Sequence, residues 1–303
     1  GEVPEELPEL RSLLWKIFLN FLPENAEKIS NLDKYYLEKH EEYNEKKNNL
    51  YNFTYKEKYK NLLFEITSDI NRTRTDMNYF NINFNNNNKE ISGDNILIRI
   101  LFIFALLHPE ISYIQGMNEI LGTIYFCFKK SISISNEDKD LDNIYLESAL
   151  FFSFENFILE VKDIYLKDND NNNKGIKGIV KKIKIYLEIF DPELSKYFKC
   201  IGIDINFFAL RWILIFFSQE LFMPETLRLW DSLIIENDKI RFVIFICISI
   251  LSKKRDILLK SDFSIVMDSL QNLKNFLDVN IDDIINYAKI IEIKIDKNFY
   301  FNV

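Results

Sequence analysis

An all-α fold is what this sequence predicts, on three observations. Glycine and proline are scarce, at 7 and 6 among 303 residues. Apolar–polar alternation between hairpin turns, the mark of strands, is absent. Apolar residues recur instead at helical spacing almost everywhere. That spacing predicts helices near 8–21, 24–46, 55–71, 93–107 and 116–129, then 144–165, 176–190, 204–221, 224–235, 239–252, 262–277 and 281–293.

Several elements carry their own justification. In the third, Leu62, Leu63, Ile66 and Ile70 form one apolar stripe, which places Asp69 toward the polar side at the C-terminal end with Arg72 beside it. The fourth should stop at His108, because Pro109 follows it. In the fifth, Met117, Ile120, Leu121, Ile124, Tyr125 and Phe128 share a face. The run FVIFICISIL at 242–251 is too short to span a bilayer and is flanked by Arg241 and by the basic residues 253–255, so it reads as a buried helix. The polar runs at 85–88 and 168–173 read as surface loops. The second, with the polar segment 133–142, separates an N-terminal lobe of about 8–165 from a C-terminal lobe of about 176–303. No fixed-period repeat is visible, which speaks against a solenoid.

Composition removes several function classes. With 48% apolar residues the chain can bury a large core, and a net charge of −8 argues against nucleic acid or an anionic membrane as the main partner. Cys127, Cys200 and Cys247 are far apart and odd in number, so they are expected to be buried reduced thiols with neither disulfides nor a metal site. Only His40 and His108 are present, which excludes most Ser-His and His-metal chemistry. The acidic opening GEVPEELPEL predicts no secretory leader.

One stretch, ISYIQGMNEILGTIYF from Ile111 to Phe126, puts a polar Gln115 and a flexible Gly116 directly before an apolar helix. Free N–H groups and the helix dipole favour anions there. Gln115 could cap the helix or be held out toward a phosphate carried by another molecule. Asp69 and Arg72 have the i, i+3 spacing of a helical ion pair, which taken alone reads as a solvated surface pair.

Taken together, Ile66-x-x-Asp69-x-x-Arg72-Thr73 and Tyr113-x-Gln115-Gly116-Met117-Asn118 resemble the signature pair of the TBC domain, the GTPase-activating proteins of Rab small GTPases. Further stretches resemble that family in the right order. RSLLWKIFLNFLP matches its opening through Arg11, Trp15 and Lys16; FFALRWILIFFSQELFMPETLRLWDSLI matches its C-terminal core through Arg211, Trp212, Pro224, Trp230 and Asp231. The resemblance covers roughly residues 10 to 290.

It implies one all-α TBC domain over residues 1–303, two helical lobes packed as a single unit, that activates a Rab-family GTPase. Arg72 would be the arginine finger, and Gln115 the glutamine finger that orients the attacking water. Asp69 would fix the Arg72 segment, Gly116 allow close approach, and Tyr113, Asn118 and Thr73 support the loop. Arg11, Trp15, Arg211 and Trp212 would be structural. No cofactor or metal of its own is implied, since GTP and Mg²⁺ arrive with the partner. The implied location is cytoplasmic, with peripheral attachment to endomembranes through the Rab. A non-catalytic GTPase-binding adaptor, or a helical scaffold, stays open beside this reading.

Three positions depart from the family pattern. Arg74-Thr75-Asp76 stands where a proline is common, Ile114 where a small or thiol residue is common, and Ser112 where glycine is frequent.

Overall fold

The computed structural model describes residues 7–23, 31–73, 95–132, 139–166 and 175–301, and all regular structure among them is helical. The runs 85–88 and 168–173, the segment 133–138 and residues 74–76 lie outside the described residues. The chain divides into two compact units, Glu2–Lys162 and Asp163–Val303.

The first unit contains α1 (Pro8–Phe18), α2 (Leu32–Leu50), α3 (Phe53–Lys58), α4 (Lys60–Ile70), α5 (Ile96–Leu107), α6 (Met117–Ile132) and α7 (Lys139–Glu160). Helix α5, apolar on nearly every side, is its core: α2, α4, α6 and α7 all pack on it, and Leu97 to Ala105 are buried apart from Arg99. Asn95 caps its start by accepting from Leu97 N–H at 2.8 Å. Within the core one ionic group is fully partnered. Arg99 grips both oxygens of Glu147, at 2.7 and 2.8 Å, and Tyr43 donates to the same carboxylate at 2.7 Å. Burial opposes ionisation of Glu147, but these bonds outweigh it and hold its pKa below the ordinary value. His108 ends α5 as expected, with its Nε2 2.8 Å from Glu155.

The second unit contains α8 (Ile176–Phe190), α9 (Pro192–Ile201), α10 (Asn206–Leu214), α11 (Met223–Leu233), α12 (Lys239–Lys253), α13 (Arg255–Leu258), α14 (Phe263–Gln271), α15 (Leu273–Phe276) and α16 (Ile281–Phe301). Its centre is α12, the FVIFICISIL segment, against which α8, α10, α11 and α16 pack. Arg241, at the start of α12, donates to Glu292 at 2.5 Å and to Asp296 at 2.7 Å, fastening α16 across it.

Several helices end earlier than periodicity predicts, and two of them share a local reason. The helix expected over 204–221 stops at Leu214. Phe216 N–H donates to Ile213 C=O at 3.2 Å and Phe217 N–H to Trp212 C=O at 3.0 Å. This is the Schellman arrangement, with Phe216 at the left-handed position (φ 49°) that glycine ordinarily fills. Helix α1 ends the same way at Asn20 (φ 56°), and α9 at Gly202 (φ 79°). Phenylalanine is tolerated at 216 because its ring is fully buried and its carbonyl accepts from Trp230 Nε1 at 3.1 Å. The element expected over 55–71 is two helices, α3 and α4, that meet at Tyr59.

Two further expectations need correction. Cys127 and Cys247 are buried, but Cys200 is exposed. Helix α9 buries Leu194, Ser195 and Phe198, and two positions beyond Phe198 the helix faces outward. Asp69 does not lie on a solvated face either: it is buried, for reasons that belong to the site.

Candidate functional site

The site begins where α4 stops. Beyond Ile70 the chain tightens into a 3₁₀-type turn, with Arg72 N–H donating to Asp69 C=O at 3.0 Å and Thr73 N–H to Ile70 C=O at 3.1 Å. Ile66 and Ile70 are anchored in the core, so the turn is fixed at its base. It carries Arg72 past the helix end with its side chain 70% exposed.

The second segment arrives from α5. Ser112 adopts φ 59°, its N–H donating to His108 C=O at 2.7 Å, and this left-handed residue redirects the chain after the helix stop. Met117 N–H then donates to Ile114 C=O at 3.0 Å, closing a turn with Gln115 and Gly116 at its corners. Gly116 has φ 105°, which an L side chain rarely adopts, so glycine is required at this corner. Its carbonyl takes the first helical bond of α6, from Glu119 N–H at 3.0 Å. Gln115 is therefore displayed on a rigid turn, exposed, and bonded to no described side chain. It does not cap α6.

Buried polar groups lock the two segments together. Asp69 is the hub: its Oδ1 accepts from Arg72 Nη2 at 2.6 Å and its Oδ2 from the Tyr113 hydroxyl at 2.8 Å. Asn118 Nδ2 donates to Thr73 Oγ1 at 2.8 Å, and the Thr73 hydroxyl donates to Asp69 C=O at 3.0 Å. Gly116 N–H donates to Asn118 Oδ1 at 3.0 Å. Because a backbone N–H can only donate, that bond fixes which way the Asn118 amide faces. The Tyr113 hydroxyl lies 3.1 Å from the same Oδ1, but its single proton is drawn to the nearer, charged Asp69 oxygen. Burial, reinforced by that bond, raises the Tyr113 pKa, so the phenol stays a donor at neutral pH.

The residues singled out in the sequence thus fall into two sets. Asp69, Thr73, Tyr113 and Asn118 are buried and bonded to one another, Gly116 shapes the turn, and Arg72 and Gln115 project outward from the two segments they join. Arg11, Trp15, Trp212, Trp230 and Asp231 are buried, while Arg211 holds Glu220 through Nε and through Nη2 at 2.9 Å. Pro224 sits in the first turn of α11.

Phe64 was not singled out. It is 68% exposed on α4, one turn before Ser68 and on the same face of the helix, and Arg72 follows just beyond the helix end. The available signal was an aromatic residue off the Ile66–Ile70 stripe, next to Glu65. Among the described residues no group of His, Cys, Asp or Glu side chains is placed to hold a metal ion.

The model of the Rab-GTPase-TBC domain matches residues 8–259. Human TBC1 domain family member 13 is 36% identical over 179 residues, which cover 58% of this chain and 43% of that protein. The GTPase-activating protein gyp1 of Schizosaccharomyces pombe is 23% identical over 278 residues, covering 88% of this chain and 51% of that protein. The chain thus spans about half or less of the length of these curated relatives. The crystal structure of the Ypt/Rab-GAP domain of Gyp1p superposes with a TM-score of 0.79 at 22% identity, over 94% of this chain and 88% of that one, sharing the all-helical fold. With most of its length matched by the family model, the chain belongs to the Rab-GTPase-TBC domain family.

Proposed function

We propose that this chain is a GTPase-activating domain for a Rab-family small GTPase, and that Arg72 and Gln115 complete the partner's active site. The observation that carries the reading is the buried Asp69–Tyr113–Asn118–Thr73 network, which ties together two segments whose outward residues are an arginine and a glutamine. The family supports it, as does the activity named for gyp1.

GTP hydrolysis needs neutralisation of charge on the transferring phosphoryl group and an oriented water. Arg72 supplies the first through a planar guanidinium that bridges two phosphate oxygens. Among the described residues it has one partner, Asp69, whose other oxygen keeps the Tyr113 hydroxyl when the exposed guanidinium swings away. Gln115 supplies the second, standing in for a glutamine of the GTPase. A finger helps only if its loop is already ordered, and the network provides that order. GTP and Mg²⁺ enter with the partner, and the chain turns over no substrate alone. Phe64, exposed on the helix that leads to Arg72, adds apolar contact with the GTPase. The protein works in the cytoplasm, meeting endomembranes where its GTPase resides.

The test is single-turnover GTP hydrolysis with a panel of Rab proteins, comparing the wild type with Arg72→Ala and Gln115→Ala. Stimulation by the wild type that both substitutions remove is the expected result. Binding without stimulation by any of the three proteins would make the domain an adaptor instead.

A further inference from the structure

The outward faces of α8 and α16 differ from the rest of this acidic chain. On α8 the exposed residues include Lys181, Lys182, Ile185 and Ile189; on α16 they include Lys289, Ile290, Ile293, Lys294 and Lys297. The two faces adjoin: Phe190 at the end of α8 packs edge-on against Tyr287 of α16, with ring centroids 6.1 Å apart, and Lys294 Nζ lies 5.6 Å from the centre of the Phe190 ring. Lys253, exposed at the end of α12, reaches over the Tyr287 ring at 4.8 Å.

The carboxylates of these helices are drawn elsewhere. Glu292 and Asp296 turn to Arg241, Glu188 pairs with Lys199 at 3.2 Å, and Asp282 pairs with Arg228 at 2.5 Å; Asp283 remains exposed at the start of α16. Among the described residues, Lys181, Lys182, Lys289, Lys294 and Lys297 have no carboxylate partner. Lysines without counter-charge therefore surround four isoleucines that are 38% to 55% exposed.

We propose that this face docks on an anionic lipid surface. Lysines on flexible stems around aliphatic side chains are the composition of a helix lying in a membrane interface, where isoleucine enters the acyl boundary and lysine meets the headgroups. Among its described residues the face lacks the exposed tryptophan, tyrosine and arginine anchors that concentrate binding energy in protein interfaces. The charge of −8 on the whole chain opposes random adsorption to such a membrane, so attachment is confined to this face and has a defined orientation.

The test is co-sedimentation of the full chain with vesicles of phosphatidylcholine alone or mixed with phosphatidylserine, at low and high salt. Binding to the mixed vesicles only, weakened by salt, is expected. K289S/K294S should weaken it roughly 20-fold. I290S/I293S should also weaken it, with thermal unfolding unchanged because both side chains are exposed. L10S/L13S, on an exposed apolar face of α1 with no such ring of lysines, should leave it unchanged. No sedimentation, equal sedimentation with neutral vesicles, or indifference to the lysine substitutions would overturn the proposal. A dimer in solution that I290S/I293S dissociates would assign the face to a second copy of the chain.

Discussion

Two arginines in this molecule are each bound to a buried carboxylate but are held differently. Arg211 contacts both oxygens of Glu220 and also the Gln271 carbonyl, so its fork is held within the second unit. Arg72 donates from Nη2 alone to Asp69, and its side chain is 70% exposed against 47% for Arg211. In both pairs the acid is buried, so the acid does not distinguish them. The donor capacity left over does: a guanidinium with free N–H groups facing solvent can still meet a phosphate.

The strongest way to break this contrast is Arg72→Ala. Stimulated hydrolysis should fall by about 10³-fold or more, while stability drops by only about 1 kcal/mol because Asp69 keeps its bond from Tyr113. Lysine at this position should restore little, since it lacks the planar fork. Single-turnover rates and a thermal melt together check both halves. Gln115→Ala should come next, with a loss of about 10²-fold in rate and no loss of stability. Affinity for a GDP-bound Rab, with and without a planar phosphate mimic, sharpens this result. Both the wild type and, more weakly, the Gln115 variant should prefer the mimic, because Arg72 still recognises the transition state.

Arg211→Ala should show the reverse pattern. It leaves Glu220 buried without its main partner, so stability should drop by about 2 kcal/mol, read from the urea midpoint. The stimulated rate of the folded fraction should stay at the wild-type level. A variant that lost rate and kept stability would show that leftover donors do not separate the two arginines. Phe64→Ala should have a smaller effect of another kind. The half-saturating concentration for stimulation should rise by about tenfold with the maximal rate unchanged, the outcome expected of an exposed aromatic side chain that binds a partner without touching the phosphate.

Much of the fold was legible in the sequence because helical periodicity records burial directly. The helix at 176–190 has the predicted bounds, and the one at 239–252 is one residue longer. What periodicity misses is anything decided by a second segment. Asp69 lies off the Ile66–Ile70 stripe, yet it is buried because the Tyr113–Asn118 segment covers it, forty-four residues along the chain. The end of α10 was illegible for a related reason: Phe216 offers no glycine signal, and its left-handed backbone is held by burial and by Trp230. Motif resemblance alone singles out Arg72 and Gln115, since neither residue belongs to an apolar face. Cys200 is exposed despite apolar neighbours in sequence, because those neighbours lie on the other face of its helix.

Ser112 offers the smallest and most local test. Its φ of 59° costs a non-glycine residue about 1–2 kcal/mol, and the position leads straight into the turn that presents Gln115. Glycine would remove that cost, while gaining unfolded-state freedom worth about 0.5–1 kcal/mol in the opposite direction. The side chain is half-buried and makes no hydrogen bond to a described residue, so little else is lost. Ser112→Gly should therefore raise stability by about 0.5 kcal/mol, seen as a higher urea midpoint at constant slope. The stimulated rate reports separately on the loop. If serine is merely endured at this bend, the rate should be unchanged, because Gly116 and the Asn118 bond still set the Gln115 turn. A glycine variant that gains stability but loses rate would instead mean that the stiffness of Ser112 helps to hold Gln115 in place.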